Sequence, residues 1–142
     1  MKKVRLSRAK ISLITCLVML IAACSGGDKQ LSKTDVQLAA GDLRTFAASA
    51  QMLVEQCTAE RATETFCKQQ AELLSTKVED SLKELNGQAG PAEDERKQLS
   101  DVASRLHDIV LRADQLSSTP TDAADAGRLA AIAKRLEDAL KK

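Results

Sequence analysis

Apolar residues recur at alternating intervals of three and four along most of the chain beyond residue 31. This interval keeps them on one face of an α-helix, the face that packs against partner helices. The first such segment predicts a helix over residues 32–57, with Ser32 or Thr34 as its N-cap. Its apolar face consists of Val36, Ala40, Leu43, Ala47, Ala50, Val54 and Cys57, widened by Ala39, Phe46 and Leu53.

Three further segments with the same interval predict three further helices, over about residues 65–85, 91–117 and 120–140. Asn86-Gly87 is expected to end the second, because both residues tolerate the left-handed conformation of a helix terminus. Pro91 suits the first position of the third helix, and Thr119-Pro120 the cap and first position of the fourth. The apolar faces consist of Cys67, Gln70 or Ala71, Leu74, Val78, Leu82 and Leu85; of Leu99, Val102, Leu106, Ile109 or Val110, Ala113 and Leu116; and of Leu129, Ile132 or Ala133, Leu136 and Ala139 or Leu140.

No segment shows the period-two run of β-branched residues that marks a strand. Short connections between amphipathic helices favour antiparallel neighbours. The predicted fold is therefore all-α, an antiparallel up-down bundle of about four helices over residues 32–142.

The first 23 residues have a different pattern. Residues 1–10 carry five cationic side chains and no acidic one, and residues 11–23 carry no charge at all. The uncharged run is too short to span a bilayer, which needs about 20 residues. A basic head followed by a short apolar stretch and small residues is typical of a secretory signal peptide, so residues 1–23 are expected to be cleaved.

The end of this segment, Ile21-Ala22-Ala23-Cys24, resembles the lipobox of bacterial lipoproteins. The resemblance implies that cleavage falls before Cys24, that its thiol takes a diacylglycerol and that its new amine is acylated. Such a lipid holds a protein stably at a membrane. In Gram-negative lipoproteins an Asp after the cysteine favours inner-membrane retention; Ser25 at this position favours the outer membrane, facing the periplasm. Residues 24–31 would form a flexible tether with a reach of roughly 30 Å.

Two cysteines remain once Cys16 is removed with the leader and Cys24 is acylated. In an exported protein, Cys57 and Cys67 pair with each other, pair between molecules or stay free, and an intramolecular disulfide is favoured. Residues ten apart in one helix lie about 15 Å apart, whereas a disulfide needs Cα atoms within about 7 Å. Pairing therefore requires the helix to break within the polar stretch between them.

Composition sets aside several classes of function. Without residues 1–23 the chain has 16 basic and 20 acidic residues, a net charge of about −4, and it has two Phe, no Tyr and no Trp. Such a chain lacks the cationic surface and stacking platforms of nucleic-acid binding. His107 is the only histidine. It lies at the edge of an apolar face and has no companion for a zinc site or a catalytic triad, so no metal, cofactor or enzymatic activity is predicted.

The sequence therefore favours a non-catalytic envelope lipoprotein whose bundle binds another envelope protein or supports its assembly. One alternative, suggested by architecture alone, resembles a pilotin, a lipoprotein that escorts a secretion component to the outer membrane. The others are a carrier of a hydrophobic ligand in the core, and a structural lipoprotein that associates with itself. The alanines of the first helix permit close helix packing, which favours a filled core over a cavity.

Overall fold

The computed structural model describes residues 31–87 and 90–142. The predicted signal peptide, Cys24 and the tether up to residue 30 lie outside the described residues. Four helices account for most of the described chain, which confirms the all-α prediction. They are α1 (Lys33–Thr58), α2 (Glu64–Asn86), α3 (Glu93–Asp114) and α4 (Pro120–Leu140).

The helices pack as an antiparallel up-down bundle. Arg44 in the first half of α1 forms an ion pair with Glu137 near the end of α4, and Ser100 near the start of α3 donates a hydrogen bond to Asn86, the last residue of α2. The most extensive contacts join α1 to α4 and α2 to α3. Helices α1 and α3 also touch each other, whereas α2 and α4 do not. The contact between α1 and α2 is much smaller than that between α1 and α4.

The predicted apolar faces form the core. Of the alternatives left open in α2, Ala71 is buried and Gln70 is exposed. Four alanines of α1, Ala39, Ala40, Ala47 and Ala50, line this core, in keeping with close helix packing. The largest fully buried side chains come from α1, α2 and α3; they are Leu43, Leu85, Leu99, Leu106, Val36, Val54, Val78, Val110 and Cys67.

Two helix starts follow the sequence prediction. The hydroxyl of Ser32 accepts a hydrogen bond from the backbone N–H of Asp35, whose carboxylate accepts one from the backbone N–H of Ser32. Thr119 and Asp122 make the same reciprocal arrangement at α4, with Pro120 in the first position. These capping boxes satisfy N–H groups that the helix itself leaves unbonded.

The turn between α1 and α2 supplies the helix break that the cysteines require. Helix α1 ends at Thr58, and Glu60 at φ 55° takes the left-handed conformation. The N–H groups of Glu60 and Arg61 bond back to the carbonyls of Cys57 and Gln56, which is a Schellman motif. The reversal brings the Cα atoms of Cys57 and Cys67 to 6.1 Å, and their sulfurs are bonded.

The start of α3 differs from the prediction. Gly87, which ends α2, is right-handed at φ −76°, and α3 begins at Glu93, two residues beyond Pro91. The left-handed residue is Ala92, at φ 65°. Before it, Gly90 packs against the backbone of Leu31, the buried last residue of the predicted tether. Because Ala92 is left-handed, Pro91 stays outside the helix, and the contact of Gly90 with Leu31 lies in the connection before it.

Two glycine substitutions are expected to act in opposite directions. A Cβ at Gly90 would lie 2.5 Å from the carbonyl oxygen of Leu31, so Gly90→Ala must displace backbone and should lower the free energy of unfolding by about 1–2 kcal/mol. A Cβ at Gly41, inside α1, would meet nothing closer than 3.9 Å. Gly41→Ala should therefore raise stability by up to about 1 kcal/mol. Urea unfolding of both variants checks this; equal effects would contradict the steric argument.

The end of α3 also differs from the prediction. The helix ends at Asp114, three residues early, and Leu116 is an exposed residue at φ 54° rather than part of the core. The N–H groups of Leu116 and Ser117 bond to the carbonyls of Ala113 and Arg112, so this turn is a second Schellman motif. Leu116 stands at the left-handed position of this motif, which favours glycine.

Leu116→Gly is expected to stabilise the protein by about 1 kcal/mol, because glycine adopts the left-handed conformation without a Cβ penalty. Leu116→Ala serves as the control, since it removes the same exposed apolar atoms but keeps Cβ. Thermal unfolding of the two variants separates relief of backbone strain from loss of an exposed apolar side chain. A gain shared by both would assign the effect to side-chain exposure instead of backbone strain.

Candidate functional site

Five large apolar side chains are exposed in the described part of the chain. They are Leu38 at 62%, Met52 at 61%, Phe66 at 42%, Leu73 at 59% and Leu116 at 44% exposure. Leu38 and Leu116 lie apart from the other three, near the start of α1 and beyond the end of α3. Met52, Phe66 and Leu73 line a single depression between α1 and α2.

This depression, here named the α1–α2 groove, has a volume of about 380 Å³. Its floor includes the buried residues Leu53 and Leu74 and the half-buried Phe46. It exists because α2 contacts α3 far more than α1, which leaves apolar residues of α1 and α2 uncovered. The complete lining consists of Thr45, Phe46, Ser49, Met52, Leu53, Gln56, Phe66, Gln70, Leu73, Leu74 and Lys77.

The groove gathers residue types that are scarce in this protein. The sequence has two phenylalanines and neither tyrosine nor tryptophan, and both phenylalanines line the groove. Met52 is the only methionine beyond residue 23. Aromatic residues and methionine are enriched where proteins bind one another, since they bury large, adaptable apolar surface.

The disulfide closes the groove at the end that lies at the α1–α2 turn. Gln56 and Phe66, which line the groove there, are the immediate sequence neighbours of Cys57 and Cys67. A covalent bond at this point fixes the separation of the two helices. The shape of the groove is therefore largely set before a ligand arrives.

The groove lining carries a single positive charge and several uncharged polar side chains. Lys77 is the only charged residue in the lining, and its Nζ lies 5.9 Å from the centre of the Phe46 ring, a cation–π contact. Among the described residues, no carboxylate pairs with Lys77. Thr45 and Ser49 donate their hydroxyls to the carbonyls of Gly41 and Thr45 within α1, at 3.0 Å and 2.9 Å.

No protein-family model, curated protein or solved structure matches this chain. Among the described residues, no helix is long and apolar enough to cross a membrane. The same residues contain no group of three or more His, Cys, Asp or Glu side chains placed to hold a metal ion. The depression between α3 and α4 contrasts with the groove, because charged side chains dominate its lining; they are Arg105, Asp108, Arg112, Asp125 and Arg128.

Of the candidate residues singled out from the sequence, His107, Cys57 and Cys67 do not line the groove. His107 is partly buried, and its Nε2 lies 3.2 Å from a carboxylate oxygen of Glu79 across the α2–α3 contact. Cys57 and Cys67 form the disulfide, and Cys24 lies outside the described residues. The sequence interpretation included Phe46 and Leu53 in the first apolar face but did not recognise Met52, Phe66 or Leu73 as a surface.

Asp122 is the one buried charged residue of the described chain. Burial by itself would raise its pKa, but hydrogen bonds from Arg112 and from the backbone and hydroxyl of Thr119 outweigh burial and lower the pKa below the usual 3.8. Both Nε and Nη2 of Arg112 donate to one Asp122 oxygen, at 2.9 Å and 2.6 Å. The arrangement ties the end of α3 to the start of α4.

This lowered pKa gives a pH-dependent stability with a defined sign. The ionised Asp122 stabilises the fold fully above its unfolded pKa near 3.8, and this contribution is lost as pH falls below that value. Asp122→Asn is expected to cost about 1–2 kcal/mol at neutral pH. The gap between wild type and variant, measured by urea unfolding, should narrow below about pH 4. A gap that is constant from pH 7 to pH 3 would contradict this assignment.

Proposed function

We propose that this protein is a lipid-anchored, non-catalytic lipoprotein of a bacterial cell envelope that binds another envelope protein through the α1–α2 groove. The observation that carries the binding proposal is the groove itself. It is an open apolar surface that contains both phenylalanines and three of the five exposed large apolar residues of the described chain. Exposed apolar clusters on small soluble domains mark sites of interaction.

The anchor part of the proposal rests on the leader. The basic head, the short apolar stretch and Ile21-Ala22-Ala23-Cys24 together are typical of lipoprotein processing. Acylation of Cys24 would attach the chain start to a membrane, with the outer membrane favoured by Ser25 where two membranes exist. The protein would then act at a fixed surface, on partners that share the same compartment.

The position of the groove suits a partner above the membrane surface. Helix α1 starts at Lys33, nine residues after Cys24 in the sequence, and the groove begins at Thr45, about 18 Å further along the helix. From there the groove extends to the α1–α2 turn, at the opposite end of the bundle. A tether of roughly 30 Å between Cys24 and the domain would leave the groove free to meet such a partner.

The lining favours a protein over a hydrophobic small molecule. Hydroxyl and amide side chains alternate with apolar ones along both walls, at Thr45, Ser49, Gln56 and Gln70. Pockets for hydrophobic ligands enclose most of the ligand surface, whereas this depression is only partly enclosed. An apolar centre with a polar rim is the usual composition of a protein interface.

Two measurements test the proposal. Intact-mass analysis of the mature N-terminal peptide should find Cys24 as the first residue, carrying acyl chains; an unprocessed or unmodified N-terminus would contradict the anchor. Affinity capture of the tagged protein after chemical crosslinking in living cells should enrich one envelope protein reproducibly. Failure to enrich any envelope protein above an equally expressed, unrelated lipoprotein would contradict the binding proposal.

A further inference from the structure

We infer that the occupant of the α1–α2 groove is a single amphipathic α-helix of the partner, with a carboxylate placed beside Lys77. The inference rests on the proposed function and adds the chemistry of the partner segment. It follows from the backbone of the groove walls, from the dimensions of the groove and from its charge.

The groove walls offer no backbone hydrogen bonds to a ligand. All lining residues lie inside the continuous helices α1 and α2, where backbone N–H and C=O groups are bonded within the helix. A peptide that binds as an added β-strand depends on an exposed strand edge to pair its backbone, and this surface has none. A helix satisfies its backbone internally and needs only side-chain contacts, so it is the form of peptide that suits this surface.

The dimensions match a short helix. The α1 wall runs from Thr45 to Gln56, which corresponds to about 16 Å, or three helical turns. Thr45 and Ser49 are small and lie one turn apart, which permits close approach of a third helix. Phe46, Met52 and Leu73 offer apolar contact to partner residues spaced i, i+3 or i+4, and i+7.

The charge of the groove adds one specific requirement. Lys77 is the only charged lining residue, and its Nζ lies over the Phe46 ring. No acidic side chain of the described residues neutralises it. A partner helix that presents Asp or Glu at this point gains a complementary charge, whereas one that presents Lys or Arg is disfavoured.

Selection from a random peptide library tests the inference without knowledge of the partner. The purified full chain is used to select 16-residue peptides, with a Leu73→Glu chain as counter-selection. The expected peptides carry apolar residues at helical intervals and an acidic residue at one end, and become helical on binding by circular dichroism. Selected peptides that are proline-rich, or that alternate apolar and polar residues as a strand does, would overturn the inference, as would a selection in which no peptide survives the counter-selection.

A charge exchange at Lys77 tests the carboxylate separately. Lys77→Glu should weaken binding of an acidic selected peptide by about two- to fivefold, and replacing the peptide's acid by lysine should restore it. Lys77→Gln is the control that removes the charge without reversing it. A selected peptide whose affinity is unchanged by all of these exchanges would overturn the carboxylate assignment.

The two proposals fail in different ways. Crosslinked partner segments that contact the groove but are not helical would overturn this inference and leave protein binding intact. The opposite result is a selection that yields helical peptides together with a crosslinking capture that enriches no envelope protein. It would support helix binding by the groove and contradict the proposal that the protein binds an envelope protein in cells. Dimerisation of the full chain that Leu73→Glu abolishes would replace the partner by a second copy and overturn the inference.

Discussion

Removal of the Cys57–Cys67 disulfide is expected to lower the free energy of unfolding by about 2–3 kcal/mol. The bond joins residues ten apart, and its Cα–Cα distance of 6.1 Å is held by the turn between α1 and α2. Without the bond, the unfolded chain gains the conformations that the closed loop forbids. The double variant Cys57→Ala, Cys67→Ala, followed by urea unfolding, measures this loss.

The wild-type protein treated with a reducing agent is the matched control. Reduction opens the same loop but retains both sulfur atoms, whereas alanine also removes apolar volume at Cys67, which is buried. Similar losses in the two samples would assign the effect to loop closure. A stable reduced protein together with a strongly destabilised double variant would show that packing at Cys67, not the covalent bond, supplies the stability.

The second large effect is expected on binding. Leu73→Glu should weaken capture of the envelope partner at least tenfold, because the new carboxylate disrupts the apolar centre of the interface and lies one turn before Lys77, where it competes with the partner's carboxylate for that charge. Leu73 is 59% exposed in the free protein, so the folded state tolerates the change. The free energy of unfolding should change by less than about 0.5 kcal/mol.

Leu38→Glu is the matched control for this variant. Leu38 is the same residue type, is 62% exposed and lies on α1 outside the groove. It should retain partner capture. Equal loss in both variants would point to a general effect of net charge or of surface hydrophobicity, and full capture by Leu73→Glu would exclude the groove as the binding surface.

The helices were predictable because their apolar intervals and caps are local properties of the sequence. Thr119 caps α4 as predicted, and Ser32, one of the two residues predicted for α1, caps that helix; each has an acidic residue three positions later to complete a capping box. The end of α3 was not predictable in the same way. Leu116 continues the apolar interval, yet α3 ends at Asp114. The turn that follows leads the chain to Thr119, the cap of α4.

The groove was not predictable from the sequence, for a physical reason. Met52 and Leu73 each stand next to a core residue in the sequence, Leu53 and Leu74. The sequence alone therefore does not distinguish them from residues that widen the buried face of the helix. Whether such residues become core or surface depends on how closely α1 approaches α2. That distance is set by the larger contacts of α1 with α4 and of α2 with α3, which are tertiary properties.

The most direct test of the central claim places a photo-crosslinking amino acid at each of the five exposed large apolar positions in turn. Met52, Phe66 and Leu73 line the α1–α2 groove, and Leu38 and Leu116 are comparably exposed elsewhere. Irradiation in living cells is expected to yield the same crosslinked envelope protein from the three groove positions and little from the other two. Crosslinks from Leu38 or Leu116 with none from the groove would contradict the account.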